Sequence, residues 1–392
     1  MRKSLLFMLF SILFTGMGNK VIASTVLDTQ QNRVKHYITQ RGNLTNSFHK
    51  FTYEKKGCVA FLGGSITEME GWRNMIQEDL RKRFPDTKFQ FIDAGIGSTG
   101  STPHAFRFEN DVLKKGTPDL LFVEAAVNDH TNKFSPEDQV RGMEGIVQHA
   151  RQINPYMDIL MLHFIYAPFL KQLDKGIQPD VIMNHERVAN HYYITSINLA
   201  QEIAERLKNK EFTWKEFGGT HPSQFGHTFY AKAIESLFDH EQQNMKAENL
   251  QAHYIPEKPL DKSSYLQGAF IDIKEATELN GFKYIESWTP ESSVKAGTRK
   301  GFVQVPMLEA KEGGASFKLN FVSGPNAGVL EYSIDGKPFR QMKTHTPWSN
   351  KVYLPWVYMF DKYLKPGQHT LIVRIKEGTR TECQIRNFVV NR

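Results

Sequence analysis

Cysteine is scarce in this chain: two residues in 392, Cys58 and Cys383. That excludes a disulfide-stapled scaffold and a zinc site built on cysteines. One cysteine falls in an early apolar run and the other near the far end, so both read as buried thiols rather than a bridge. Clustered basic charge is lacking too. Lysine and arginine number 49 against 42 aspartates and glutamates, but they are scattered and not interleaved with aromatics. Nucleic acid is therefore not an expected partner. Beyond the first residues no apolar run is long enough to span a bilayer. Internal repeats and low-complexity tracts are absent as well. With 40% hydrophobic and 23% charged residues, the composition is that of a folded globular protein, long enough for two domains with sizeable cores.

The amino terminus stands apart. Arg2-Lys3 precede an apolar run from Leu5 to Phe14, and Val21-Ile22-Ala23 offers small residues for cleavage. This is the pattern of a secretory signal peptide over residues 1–23, too short to be a spanning helix. The expected destination is the periplasm or the extracellular space. Losing Arg2, Lys3 and Lys20 with it lowers the formal charge from +7 to +4. Asn43-Leu44-Thr45 fits a glycosylation acceptor, a pattern short enough to recur by chance.

Residues 24 to about 50 read as a polar lead-in with a helix over Val26–Tyr37. From residue 57 strands and helices alternate. Cys58–Leu62, Lys88–Asp93, Asp119–Ala125, Ile159–Phe164 and Ile194–Ile197 are strand-like. Between and after them lie helical stretches at about Gly71–Phe84, Pro103–Leu113, Val140–Ala150, His185–Tyr193, Ile197–Leu207 and Gln224–Phe238. Repeated strand–helix units of this size predict a parallel sheet covered on both faces, an α/β domain over 24–242. The weakly patterned Ala167–Asn184 reads as a long loop, either at the site or on the surface. A polar linker is expected over 243–263. Beyond it helical periodicity gives way to short alternating strands punctuated by turns such as Asp335-Gly336 and Pro366-Gly367, an all-β sandwich over 264–392. Trp288, Trp348, Trp356 and Tyr358 within it could stack on sugar rings, but core packing is the expected role for most of them.

The chemistry-bearing residues fall at strand ends. Gly63-Gly64 stops an apolar strand and sets Ser65 before a helical pattern, where open α/β sheets bind ligands. By itself Ser65 reads equally well as a turn residue or a helix cap. Three further stretches sit at comparable places: Asp93–Ser101 after the second strand, Glu124–His130 after the third, and Thr220-His221-Pro222-Ser223 before the last helix. In a parallel sheet they converge on one edge. Together they support acyl transfer, with His221 taking the proton of Ser65. The Ser65 backbone N–H, an N–H of the Gly97–Ser98 turn and the Asn128 side-chain amide would bind the oxyanion. No metal or cofactor is called for, since the adjacent Asp129 and His130 make no metal site; Asp129 is expected to brace the loop of Asn128. Glu124 and Arg107 read as structural pairing, His227 as packed, and His185 and Glu186 as ordinary residues of a helix start. Trp214 could serve as a sugar platform, with a partly buried aromatic as the default.

These four stretches resemble the SGNH (GDSL-like) hydrolases, whose blocks contribute Ser, Gly, Asn and His in that order. Gly-Gly-Ser65-Ile-Thr looks like the first block and Ala94–Gly100 like the second. Val127-Asn128-Asp129 and His221-Pro222-Ser223 look like the third and fourth, so that the resemblance covers about 57–240. It implies a flavodoxin-like three-layer α/β/α fold and ester hydrolysis, with Ser65 as nucleophile and His221 as base. Two departures stand out. Where the family usually has an Asp three residues before the histidine, this chain has Gly218; Glu216 or a backbone carbonyl would have to replace that acid. The oxyanion glycine of the second block aligns to Gly97 or to Ser98. The expected function is an exported serine esterase removing acetyl or other small acyl groups from carbohydrate, its partner being the acylated sugar. The alternatives are an inactive, carbohydrate-binding relative and, ranked lower, a lipid esterase or acyltransferase. The sequence does not state the oligomeric state.

Overall fold

A computed structural model describes residues 36–245, 250–276, 278–289 and 305–310, together with shorter stretches between 316 and 391. The signal peptide expected over residues 1–23 and nearly all of the helix expected over Val26–Tyr37 lie outside the described residues, as does Trp348.

Six strands form the central sheet: β1 (Ile38–Thr39), β2 (Lys56–Gly63), β3 (Lys88–Gly95), β4 (Leu120–Glu124), β5 (Asp158–Leu162) and β6 (Thr195–Ile197). Their spatial order is β1-β6-β5-β4-β2-β3. All neighbours are parallel except the two-residue β1, which pairs antiparallel with β6 at one edge. The chain leaves β2 for β3 on one side and then returns to β4 on the other, so β2 is the topological switch point. In open α/β sheets the crevice for ligands opens there, beyond the carboxyl ends of the strands.

Why these runs became central strands is visible in the two cores. Val59, Phe61, Leu120, Phe122, Leu160 and Leu162 face one cluster, with Trp72, Ile76, Leu80, Ile234 and Phe238 from the Trp72–Arg83 and Gln224–Asn244 helices. Ala60, Leu62, Leu121, Val123, Ile159 and Met161 face another, with Phe106, Met143, Ile146, Val147 and Val188. Alternate residues of one strand thus bury on opposite faces, which is why the strands read as unbroken apolar runs.

Two expectations are corrected. Ala167–Asn184 is not a loop: Ala167–Leu173 is a helix with Pro168 in its first turn, and the Asp180–His191 helix begins within it. Proline fits a first turn because no intrahelical bond is asked of its missing N–H. Nor do residues 250–265 behave as a free linker. They lie on the α/β domain as a strap: the Glu144 carboxylate accepts from Leu260 N (2.6 Å) and Asp261 N (2.9 Å) and binds the Ser264 hydroxyl, while Arg141 pairs with Asp261 at 2.8 Å. Tyr265 is buried against Phe106. Polar composition in this stretch reflects a polar docking surface.

Beyond the strap the strands are β7 (Gly268–Ile271), β8 (Lys283–Trp288), β9 (Val305–Ala310), β10 (Ser316–Phe317), β11 (Val329–Ile334), β12 (Arg340–Lys343), β13 (Leu371–Ile375), β14 (Cys383–Ile385) and β15 (Phe388–Asn391). They make a β10-β13-β11-β12 sheet, a β14-β9-β8 sheet and a β15-β7 pair. The two larger sheets share one apolar cluster, with Leu330, Tyr332, Val373 and Ile375 from one and Cys383 and Ile385 from the other. Trp288 is buried edge-on against Tyr353, a core role, and the Tyr358 hydroxyl donates to the Thr344 carbonyl. Both cysteines are free thiols.

Candidate active site

Ser65 opens a one-turn helix, Ser65–Glu68, directly after β2, with Gly64 as its cap. As the first helical residue it has a backbone N–H with no intrahelical acceptor. The preceding glycine is required by crowding. A Cβ on Gly64 would stand 2.0 Å from the Asn128 side-chain oxygen, far inside contact distance. The same closeness shows that the third block's asparagine reaches over to the nucleophile turn.

His221 is placed by a compact loop. Trp214–Phe217 forms a helical turn whose cap, Gly218, has φ +100°. Ser223 N then donates to the Phe217 carbonyl at 2.8 Å, and the Ser223 hydroxyl, which caps the Gln224–Asn244 helix, bonds to the Glu216 carbonyl at 2.8 Å. His221 projects from this loop at the surface, and its Nε2 lies 2.8 Å from Ser65 Oγ. The residues are 156 positions apart in sequence.

The places of Glu216 and Gly218 are now explicit. Glu216 directs its carboxylate backwards, accepting from Thr213 N (2.7 Å) and Thr213 Oγ1 (2.8 Å) in a capping box. Those bonds hold the exposed carboxyl below its usual range. None of the Glu216 hydrogen bonds goes to His221. At Gly218 itself a Cβ would come within 2.1 Å of Ser223 N, and φ +100° disfavours any L side chain.

The second block separates the two oxyanion candidates. Gly97 N donates to Glu68 Oε2 at 2.8 Å, so that N–H is occupied. Ser98 sits at φ +66°, the left-handed conformation in which glycine is usual, and among the described residues its N–H has no partner. Its carbonyl accepts from Asn132 Nδ2 at 2.9 Å, and Thr99 folds back onto the Ile96 carbonyl through its N–H and hydroxyl.

Beneath these residues lies a buried polar layer whose connections the sequence did not reveal. Asp129 accepts from Ser101 N (2.7 Å) and Ser101 Oγ (2.6 Å), tying the second block to the third, and from His185 Nε2 at 2.9 Å. His185 is thus a buried partner rather than an ordinary residue of a helix start. Its neighbour Glu186 bonds His163 at 2.7 Å and pairs with Arg41. Glu124 is buried, and burial pushes its carboxyl up to about 7 even though it accepts hydrogen bonds from Gly64 and Thr67. His227 is packed as expected: its ring is buried against Gly71, neither nitrogen has a partner among the described residues, and burial lowers it to about 4. Trp214 is half-buried and stacks on Phe217 at 5.6 Å. His130 is half-buried beside Tyr166, whose hydroxyl bonds its Nδ1. Among the described residues no cluster of metal-ligating side chains occurs.

This layout has the parts that acyl transfer requires. Residues 61–229 match the model of the GDSL-like lipase/acylhydrolase family. No curated protein matches. Similar solved structures include two of a two-domain esterase (CEX) active on acetylated mannans. One has TM-score 0.69 and 20% identity, covering 92% of this chain and 99% of that one. The other, co-crystallised with mannopentaose, has TM-score 0.68 and 20% identity, covering 91% and 98%. The likeness of fold extends over both the α/β domain and the β sheets that follow it.

Proposed function

Since residues 61–229 match the GDSL-like lipase/acylhydrolase family model, we propose that this protein is an exported serine esterase that removes acetyl or similarly small acyl groups from carbohydrate. The observation that carries the reading is the 2.8 Å contact between Ser65 Oγ and His221 Nε2 at the carboxyl edge of the sheet. His221 takes the hydroxyl proton as Ser65 attacks the acyl carbon, and the tetrahedral oxyanion settles on the N–H groups of Ser65 and Ser98 and the Asn128 amide. His221 then returns the proton to the departing sugar oxygen. Water repeats the sequence on the acyl-enzyme. Glu216, committed to Thr213, takes no part, and the tight Phe217–Ser223 loop presents the imidazole of His221.

Carbohydrate as the acyl carrier is supported by the two-domain fold shared with an esterase active on acetylated mannans. Export rests on the pattern of residues 1–23, and among the described residues no helix is long and apolar enough to cross a membrane. The test is hydrolysis of 4-nitrophenyl acetate and of an acetylated mannan by the mature chain. Ser65→Ala and His221→Ala should each lower kcat by about three orders of magnitude or more, with circular dichroism unchanged. Glu216→Gln should stay within about threefold of wild type, against a loss of about 10⁴ for a true triad acid. A wild type inactive on both esters overturns the reading.

A further inference from the structure

Three strand ends carry the proposed nucleophile and oxyanion groups, and something must fix them relative to one another. The structure supplies a single buried knot. Glu124, the last residue of β4, reaches across to the end of β2, where its Oε1 accepts from Gly64 N at 2.6 Å and from Thr67 Oγ1 at 2.8 Å. Arg107, from the Ser101–Phe108 helix, donates through Nη2 to the Gly63 carbonyl (3.0 Å) and to the Ala94 carbonyl of β3 (2.7 Å). His104, one turn earlier, contacts the Glu124 carbonyl through Nε2 at 3.2 Å and Arg107 Nε through Nδ1 at 3.3 Å. All three side chains are buried, and Asp111 meets Arg107 at 3.0 Å.

Fit is tight where the knot touches the nucleophile turn. A Cβ on Gly63 would stand 2.3 Å from Glu124 Oε1. The Gly63–Gly64 peptide, just before Ser65, is therefore held from below by one carboxylate oxygen. That oxygen is bound on both sides of Ser65: at the amide of the preceding residue, and at the hydroxyl two residues further on.

We propose that Glu124 is a positioning residue: its Oε1, bridging Gly64 N and Thr67 Oγ1, sets the rotation of the Ser65 turn and so the presentation of Oγ to the acyl group. Arg107 and His104 hold Glu124 and the ends of β2 and β3 in one frame. The inference rests on Ser65 being the nucleophile. What the turn needs is an acceptor oxygen, not a charge, so a glutamine that keeps the carbonyl oxygen in place serves and an alanine does not. A displacement of about 1 Å at a nucleophile is enough to cost about 10²-fold in rate.

The experiment measures kcat and KM on 4-nitrophenyl acetate together with the rate at which an alkyl fluorophosphonate labels Ser65, in wild type, Ser65→Ala, Glu124→Ala, Glu124→Gln and Thr67→Val. Glu124→Ala should lower kcat and the labelling rate by about 30- to 100-fold with KM within about twofold. Glu124→Gln should recover most of that loss, and Thr67→Val should fall between the two. Glu124→Ala that folds and labels at the wild-type rate overturns the proposal. So does a loss in Glu124→Gln as large as in Glu124→Ala. If Glu124→Ala does not fold, Glu124→Gln and Thr67→Val decide, and equal wild-type labelling in both with unchanged kcat supports no role for the bridge and overturns it. Absence of labelling in wild type, indistinguishable from Ser65→Ala, instead overturns Ser65 as nucleophile, and the positioning role with it.

Discussion

At the scale of single residues, Gly218 decides how the site is built. Its backbone closes the loop that presents His221, and it does so in a conformation and a space that exclude a side chain. Restoring the aspartate usual at that position is therefore expected to fail. Gly218→Asp should lower stability by about 1–3 kcal/mol through backbone strain and the clash with Ser223 N, read as a fall in the urea midpoint, and should not raise kcat. A gain in rate with unchanged stability would show that the loop can rearrange to accept an acid. That Ser65 and His221 meet was legible in the sequence, because the proposed nucleophile and base each require one kind of side chain. The partners around them were not. Glu216 lies two positions before Gly218, and its turn back to Thr213 was signalled only by the Thr213-Trp-Lys-Glu216 capping-box spacing, which the search for an acid passed over. Likewise, that Gly97 donates to Glu68 while Ser98 does not is a matter of peptide orientation, which no spacing encodes.

Elements depend on clasps between neighbouring loops. Asp129 and His185 are both fully buried, and Asp129 holds Ser101 at the start of one helix while standing in another. Removing one partner of such a pair leaves an uncompensated buried group. Asp129→Ala should accordingly cost about 3–5 kcal/mol in urea unfolding, whereas a residue that merely braced a surface loop would cost under 1 kcal/mol. The strands and most helices were legible because a strand buried on both faces must be continuously apolar, and the helices must show one apolar side. Ala167–Leu173 escaped notice since a helix of 7 residues is too short to show a helical period, and Pro168 suggests a loop unless it is recognised as a first-turn residue. His185 gave no signal at all: its partner lies 56 residues away.

For the whole molecule, the boundary between the two parts of the chain is set by contacts rather than by composition. Residues 250–265 complete the α/β domain, supplying Leu260 N, Asp261 N and the Ser264 hydroxyl to the buried Glu144 carboxylate beside the Tyr192 hydroxyl. A chain truncated after residue 245 should therefore be less stable than one truncated after 267 by about 3 kcal/mol or more, measured by urea denaturation; equal midpoints would make the strap dispensable. Beyond it, Ile96, next to the Gly97–Ser98 turn, packs against the cluster of Trp288, Met307 and Tyr353, so the β sheets also touch the candidate site. The last strand then returns: β15 pairs antiparallel with β7 in the register Gly268 to Asn391, and both pack on the Ser101–Phe108 helix. The β region is consequently a ring rather than a pendant, with its two ends soldered to the same helix. A pendant domain loses its freedom to tumble each time it closes on a ligand; a ring has surrendered that freedom during folding. Any ligand that bridges the two parts meets an already oriented pair of surfaces, and cutting the chain at its last few residues, far from Ser65 in sequence, would return the hinge that the fold has removed.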